Sequence, residues 1–170
     1  MALIKSVKGI VPKIGENCFL ADNSTITGDV VIGNNCSLWF NAVVRGDVHQ
    51  IRIGNNVNIQ DNAVVHCTYK KASVKIGNNV SIAHSAIIHG CTIHDNVLIG
   101  MGAIIMDGVI IESHSIIAAG AVVSKDTLVK SGSVYGGIPA KLIKTVDKDL
   151  LEGEINRIAN NYNIYASWYD

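Results

Sequence analysis

No charge of either sign predominates in this chain: 14 Lys and Arg stand against 14 Asp and Glu. That balance gives no electrostatic reason to expect a nucleic acid or an anionic membrane surface as partner. Long hydrophobic runs are missing too. Although 48% of residues are hydrophobic, no apolar stretch approaches the roughly 20 residues of a membrane span. The opening MALIKSVKGIVPKIG lacks the apolar stretch of a secretory signal. Cys18, Cys36, Cys67 and Cys91 form no CxxC pair, so reduced thiols and a cytoplasmic location are the expectation. Proline (2 residues) and aromatics (5%) are scarce while glycine reaches 16 in a chain of 170. This composition suits a repetitive β architecture forming a single domain over residues 1–170.

What the chain does have is a six-residue repeat. Aliphatic side chains recur at Ile14, Leu20, Ile26, Ile32, Leu38 and Val44, resume at Ile53, Ile59 and Val65, then at Ile76, Ile82 and Ile88, and run from Ile93 in steps of six to Val129. Small or β-branched residues follow four places later, as at Ser24, Ala42, Ala63, Ala86, Ala103, Ser115 and Ala121. Gly-Asn-Asn after Ile32, Ile53 and Ile76 supplies turn residues tolerant of positive φ. Neither an amphipathic helix nor an alternating strand has period six; a triangular parallel β-helix, three hexapeptides to a coil, does. Coils then start at Ile14, Ile32, Ile53, Ile76, Ile93 and Ile111, with a partial coil at Val129. The extra residues before Ile53 and Ile76 and the one missing before Ile93 all fall at the same corner, between a third face and the next first face. The coils occupy residues 11–140. From Asp147, a plausible N-cap, Leu150, Leu151, Ile155, Ile158, Ala159, Tyr162 and Tyr165 keep helical spacing, so residues 147–166 are expected to form one amphipathic helix packed on the prism as a cap or subunit contact.

The frame also sorts the polar residues. Arg45, His66 and His89 each follow the inward aliphatic of a third face in successive coils, so they should stack at one strand spacing of ~4.8 Å. Asp61 and His84 form a second column on second faces, with Gln60 beside Asp61. An isolated His in apolar surroundings is commonly a hydrogen-bonded structural residue, but neutral imidazoles brought together are metal ligands. His66 and His89 can reach one ion. His84, around a corner, can join them from a neighbouring subunit, and three-fold closure of such a heterologous contact suits a triangular prism.

In NAVVRGDVHQIRIGNNVNIQDNAVVH and SIAHSAIIHGCTI the chain resembles the γ-class carbonic anhydrases of the hexapeptide-repeat superfamily, and the likeness extends from Val11-Pro12-Lys13-Ile14-Gly15 to the C-terminal helix. The resemblance implies an all-β fold, a left-handed β-helix with a C-terminal α-helix, assembled as a homotrimer with metal sites between subunits. It also implies reversible hydration of CO₂ to bicarbonate by a hydroxide on a three-His ion, with Zn²⁺ expected and Fe²⁺ or Co²⁺ as alternatives. The family's ligands match His66, His84 and His89. Its Arg and Asp of the RxD segment match Arg45 and Asp47, and its Gln-Asp pair matches Gln60 and Asp61. Gln60 is expected to orient hydroxide or substrate, and Arg45, Asp47 and Asp61 to form an ion-pair network at the subunit seam.

Two features depart from the best-characterised branch, where a Glu follows the RxD aspartate and an acidic loop separates the first two His ligands, both tied to proton shuttling. Here Val48 and the short basic stretch Tyr69-Lys70-Lys71-Ala72-Ser73-Val74-Lys75 stand in their place, as in the loop-less bacterial branch. His49, His94 and His114 fall outside both columns and read as surface or loop residues, Cys67 and Cys91 as packing, Tyr135 as a candidate pocket wall. GGIPAK resembles the segment that follows the coils in hexapeptide acyltransferases. An acyl-CoA thioesterase or acyltransferase, or a non-catalytic metal-stabilised trimer, are therefore the alternatives to a carbonic anhydrase.

Overall fold

Ile14, Ile32, Ile53, Ile76, Ile93, Ile111 and Val129 lie one above the next in a computed structural model of the chain, which describes residues 1–169. The second-face column Leu20, Leu38, Ile59, Ile82, Ile99 and Ile117 is equally in register, as is the third-face column Ile26, Val44, Val65, Ile88, Ile105 and Val123. The result is a parallel β-solenoid of three faces and about seven turns. Its axis is filled by these aliphatics, together with the corner residues Ala42, Ala63, Ala86, Ala103 and Ala121, all buried. Small corner residues are required because the three faces converge there. No helix among the described residues is long and apolar enough to cross a membrane.

The three irregular corners each take a different form. At the first, Val43–Ile53 is one continuous strand that carries the chain from third to first face, with a register shift opposite Gly28 and Val30. At the second, Thr68 and Ala72 pair as a tight antiparallel bridge. At the third, Gly90 at φ +54° turns the corner in one residue fewer. In the Gly-Asn-Asn turns it is the second Asn that takes positive φ, as at Asn35, Asn56 and Asn79. The glycines serve close approach instead: a Cβ on Gly33 would stand 2.6 Å from the carbonyl oxygen of Gly54 on the next coil.

The solenoid begins earlier than its aliphatic frame, since Leu3–Lys5 pairs with the third-face strand Thr25–Ile32. Tyr135 occupies the inward position above Ile117 and packs on the end of the core. Beyond it Lys141–Thr145 returns antiparallel along Ser133–Gly136, and Asp147 caps the helix that follows by accepting from Leu150 N at 2.8 Å. That helix runs as Lys148–Leu150, a wider π turn Leu151–Asn156 and Arg157–Ala166. Ile155 packs on Leu98, Ile116 and Val134 of the second face, and Tyr162 stands edge-on to Trp39 at 5.2 Å between ring centroids. The helix thus lies along the second face, the one that carries His84.

Candidate metal centre

Register decides what the third face presents. Arg45 lies opposite His66, and His66 opposite His89, so the expected column of three exists. His66 Nδ1 and His89 Nε2 face each other at 3.1 Å. The remaining nitrogen of each ring is engaged by a carboxylate: His66 Nε2 lies 3.1 Å from Asp47 Oδ1, and His89 Nδ1 lies 2.5 Å from Asp107 Oδ1. Carboxylates accept, so each imidazole donates its N–H outward and the two facing nitrogens both present lone pairs. Such a pair is repulsive unless a proton or a cation lies between them. Burial, with the charges of Arg45 and His89 added and the Asp47 hydrogen bond opposing, holds His66 below its ordinary value of 6.5. Two nitrogens at ~2.1 Å from one tetrahedral ion stand roughly 3.4 Å apart, so the pair fits a bound metal.

Asp47 is held in turn by Arg45, whose Nη1 donates to Oδ2 at 2.5 Å. Burial pushes the Asp47 carboxyl up, but the hydrogen bonds from Arg45 and His66 outweigh it and leave the group below its usual range. Asp61 does not join this network within one chain. It lies on the second face with His84, Oδ2 to Nδ1 at 2.9 Å, and His84 Nε2 has no partner among the described residues. Each of the three candidate imidazoles therefore has a carboxylate on one nitrogen and the other available, the arrangement that orients metal-bound histidines. Among the described residues of a single chain, no group of three ligating side chains is close enough to hold an ion.

Beside His84 is a cavity of about 370 Å³, its floor formed by Gln60, Ala83, Leu98 and Met101 of the second face, and its wall by Arg157, Ile158, Tyr162 and other helix residues. Gln60 is 3% exposed; its Nε2 donates to Asn58 Oδ1 at 2.9 Å, and Asn58 Nδ2 donates to Ser81 Oγ at 2.8 Å. The helix, read from sequence as a cap, thus also walls the pocket at the candidate site. Burial, with the nearby Asp61 charge, pushes the Tyr162 phenol up to about 12, so it stays a neutral donor.

The carbonic anhydrase of Geobacillus kaustophilus is 39% identical over 98% of this chain and 91% of its own. The chain belongs to the γ-class carbonic anhydrase family of hexapeptide-repeat proteins. Protein YrdA of Escherichia coli is 35% identical over 99% of this chain and 92% of its own. A hexapeptide transferase family protein of Anaplasma phagocytophilum, whose crystal structure superposes with a TM-score of 0.94, is 38% identical and covers 99% of this chain and 98% of that one. The bacterial transferase hexapeptide (six repeats) model matches residues 12–46 and 90–125.

Within this γ-class chain, Asp107, Thr68 and Asn58 are the contacts that sequence reasoning passed over. Asp107 comes from the coil after His89, one place further from its inward aliphatic, so a strict column by position does not align the two. The remaining histidines lie outside the cluster: His94 and His114 are exposed, and His49 Nδ1 accepts from Gln50 N at 2.8 Å. Burial pushes the Cys67 and Cys91 thiols up to about 11 and about 12, which makes them poor nucleophiles and leaves them as packing.

Proposed function

We propose that the protein is a metal-dependent γ-type carbonic anhydrase that interconverts CO₂ and bicarbonate. Each centre takes His66 and His89 from one protomer and His84 of the partner subunit. The observation that carries this reading is the 3.1 Å approach of His66 Nδ1 and His89 Nε2, with both other ring nitrogens on carboxylates. The apolar third face supports the shared site. Its outward positions in five consecutive coils are Val43, Val64, Ile87, Ile104 and Val122, one opposite the next. Such a continuous apolar column flanking a polar one is a surface made for covering, and a second face that brings His84 covers it.

Zn²⁺ is the expected ion and would supply, from water, a nucleophile active at neutral pH. The chain's own residues do the rest. Asp47 and Asp107 hold the His66 and His89 rings by their outer nitrogens and Asp61 stands beside His84 Nδ1, so that the other nitrogen of each ring is aimed at the ion. Gln60, its amide nitrogen tied to Asn58, keeps its carbonyl oxygen as an acceptor that orients the attacking water or the bicarbonate hydroxyl. Arg45 anchors Asp47. Metal analysis of the purified protein together with stopped-flow CO₂ hydration tests this reading: about one Zn²⁺, Fe²⁺ or Co²⁺ per chain and chelator-sensitive hydration are expected. A bound metal with no hydration would reduce the protein to a metal-stabilised scaffold.

A second reading is favoured by one feature, the cavity beside His84. At about 370 Å³ with Ala83, Leu98, Met101 and Ile158 among its lining, it has room for more than CO₂. Thioester hydrolysis with short acyl-CoA substrates is the activity to assay alongside hydration.

A further inference from the structure

We propose that Asp107 is a positioning residue of the metal centre. Together with Thr68 it fixes the proton of His89 on Nδ1 and aims Nε2 at the ion. The inference rests on the reading of His89 as a ligand and adds the device that orients it. Asp107 lies in the turn between the strands Ile104–Ile105 and Ile110–Ile111, one coil beyond His89. Its two oxygens are divided: Oδ1 takes the His89 Nδ1 proton at 2.5 Å and Oδ2 takes the Thr68 hydroxyl at 2.5 Å. Thr68 is itself pinned by its bridge to Ala72. A carboxylate held at both oxygens cannot rotate away, and an imidazole donating Nδ1–H to it can present only Nε2 as a lone pair.

A second observation shows space kept for this contact. Gly90 sits between His89 and Asp107, and a Cβ built there would collide with Asp107 Oδ1, the atom that binds His89. It would also stand 2.8 Å from Ala72 Cβ, on the hairpin that carries Thr68. The chain therefore has no side chain at a place where one would displace the carboxylate. The short basic loop of residues 68–72 gains a role: it braces the metal centre from outside.

Two readouts on Asp107→Ala test the proposal. In metal-free protein, long-range ¹H–¹⁵N spectra of His89 should show the proton on Nδ1 in the parent and a shift toward the Nε2 tautomer in the variant. Zinc affinity by chelator competition should weaken about 10- to 100-fold, the usual cost of losing such a partner. Thr68→Val, which keeps the side-chain volume, should move both readouts the same way by less. An unchanged His89 tautomer and unchanged zinc affinity in either variant would overturn the proposal. Zinc affinity unchanged in His89→Ala would instead overturn the assignment of His89 as a ligand.

Discussion

Ile87→Glu puts the apolar third face to the test. Ile87 stands two places before His89 on the same strand and is 39% exposed in a single chain. Full burial of an isoleucine is worth about 1.5–3 kcal/mol, so in the proposed trimer covering the remaining two-fifths would contribute about 0.6–1.2 kcal/mol per subunit and roughly 2–3.5 kcal/mol across three. The substitution forfeits that and places a carboxylate in the seam, at several kcal/mol per buried ion, repeated three times. The proposed trimer should not survive such a loss at micromolar concentration. Sedimentation velocity should show a folded monomer, its strand content unchanged by circular dichroism because residue 87 points away from the core. The monomer should also lose its metal, since the partner's His84 has gone. An Ile87→Glu protein that sediments as the parent and keeps its metal would show that this face is not the seam.

Further outcomes follow from the polar groups. With Val48 and the basic loop in place of shuttle acids, CO₂ hydration should rise steeply with buffer concentration, and a high rate flat across buffer concentrations would mean that another residue exports the proton. Arg45→Ala leaves Asp47 without its guanidinium partner, so the assembly should dissociate at lower denaturant than the parent; an unchanged midpoint by sedimentation in urea would return Arg45 to a solvated surface pair. In metal-free protein, folding favours neutral His66 and ionised Asp47, because both sit below their ordinary values of 6.5 and 3.8. The His66 contribution is therefore complete above pH about 6.5 and is lost as pH falls through its depressed value, and that of Asp47 is lost in turn below about 3.8. Denaturation midpoints that rise on acidification from pH 7 to 5 would contradict this.

Much of this molecule was legible because a solenoid makes distance in space a simple function of distance in sequence. Once Ile53, Ile76 and Ile93 were set as coil starts, the stacking of Arg45, His66 and His89 and the separation of His84 followed by counting. What counting missed breaks the period. Leu3–Lys5 lies before the aliphatic frame and was invisible to it. Asp107 reaches His89 from a neighbouring coil and an offset position, because Gly90 shortens its corner and leaves room above it. The helix was found from its spacing, but its place along the second face depends on tertiary packing of Tyr162 on Trp39 and Ile155 on Leu98, which no local pattern encodes. The frame already put Asp61 beside His84, but the pairing of His66 with Asp47 and of His89 with Asp107 was hidden, since both carboxylates lie off the column of their imidazole.

The shared site is the central claim, and subunit mixing tests it most directly. His66→Ala alone and His84→Ala alone should each abolish metal retention and CO₂ hydration. In a mixed trimer, a His84→Ala protomer still offers His66 and His89, and a His66→Ala protomer still offers His84. Where those faces meet, one complete centre returns. Differently tagged variants, co-expressed and purified through both tags, should recover about one-third of the parent's metal and activity, one site of three. Verified mixed trimers that recover neither would contradict a centre built from two ligands of one protomer and a third of the next.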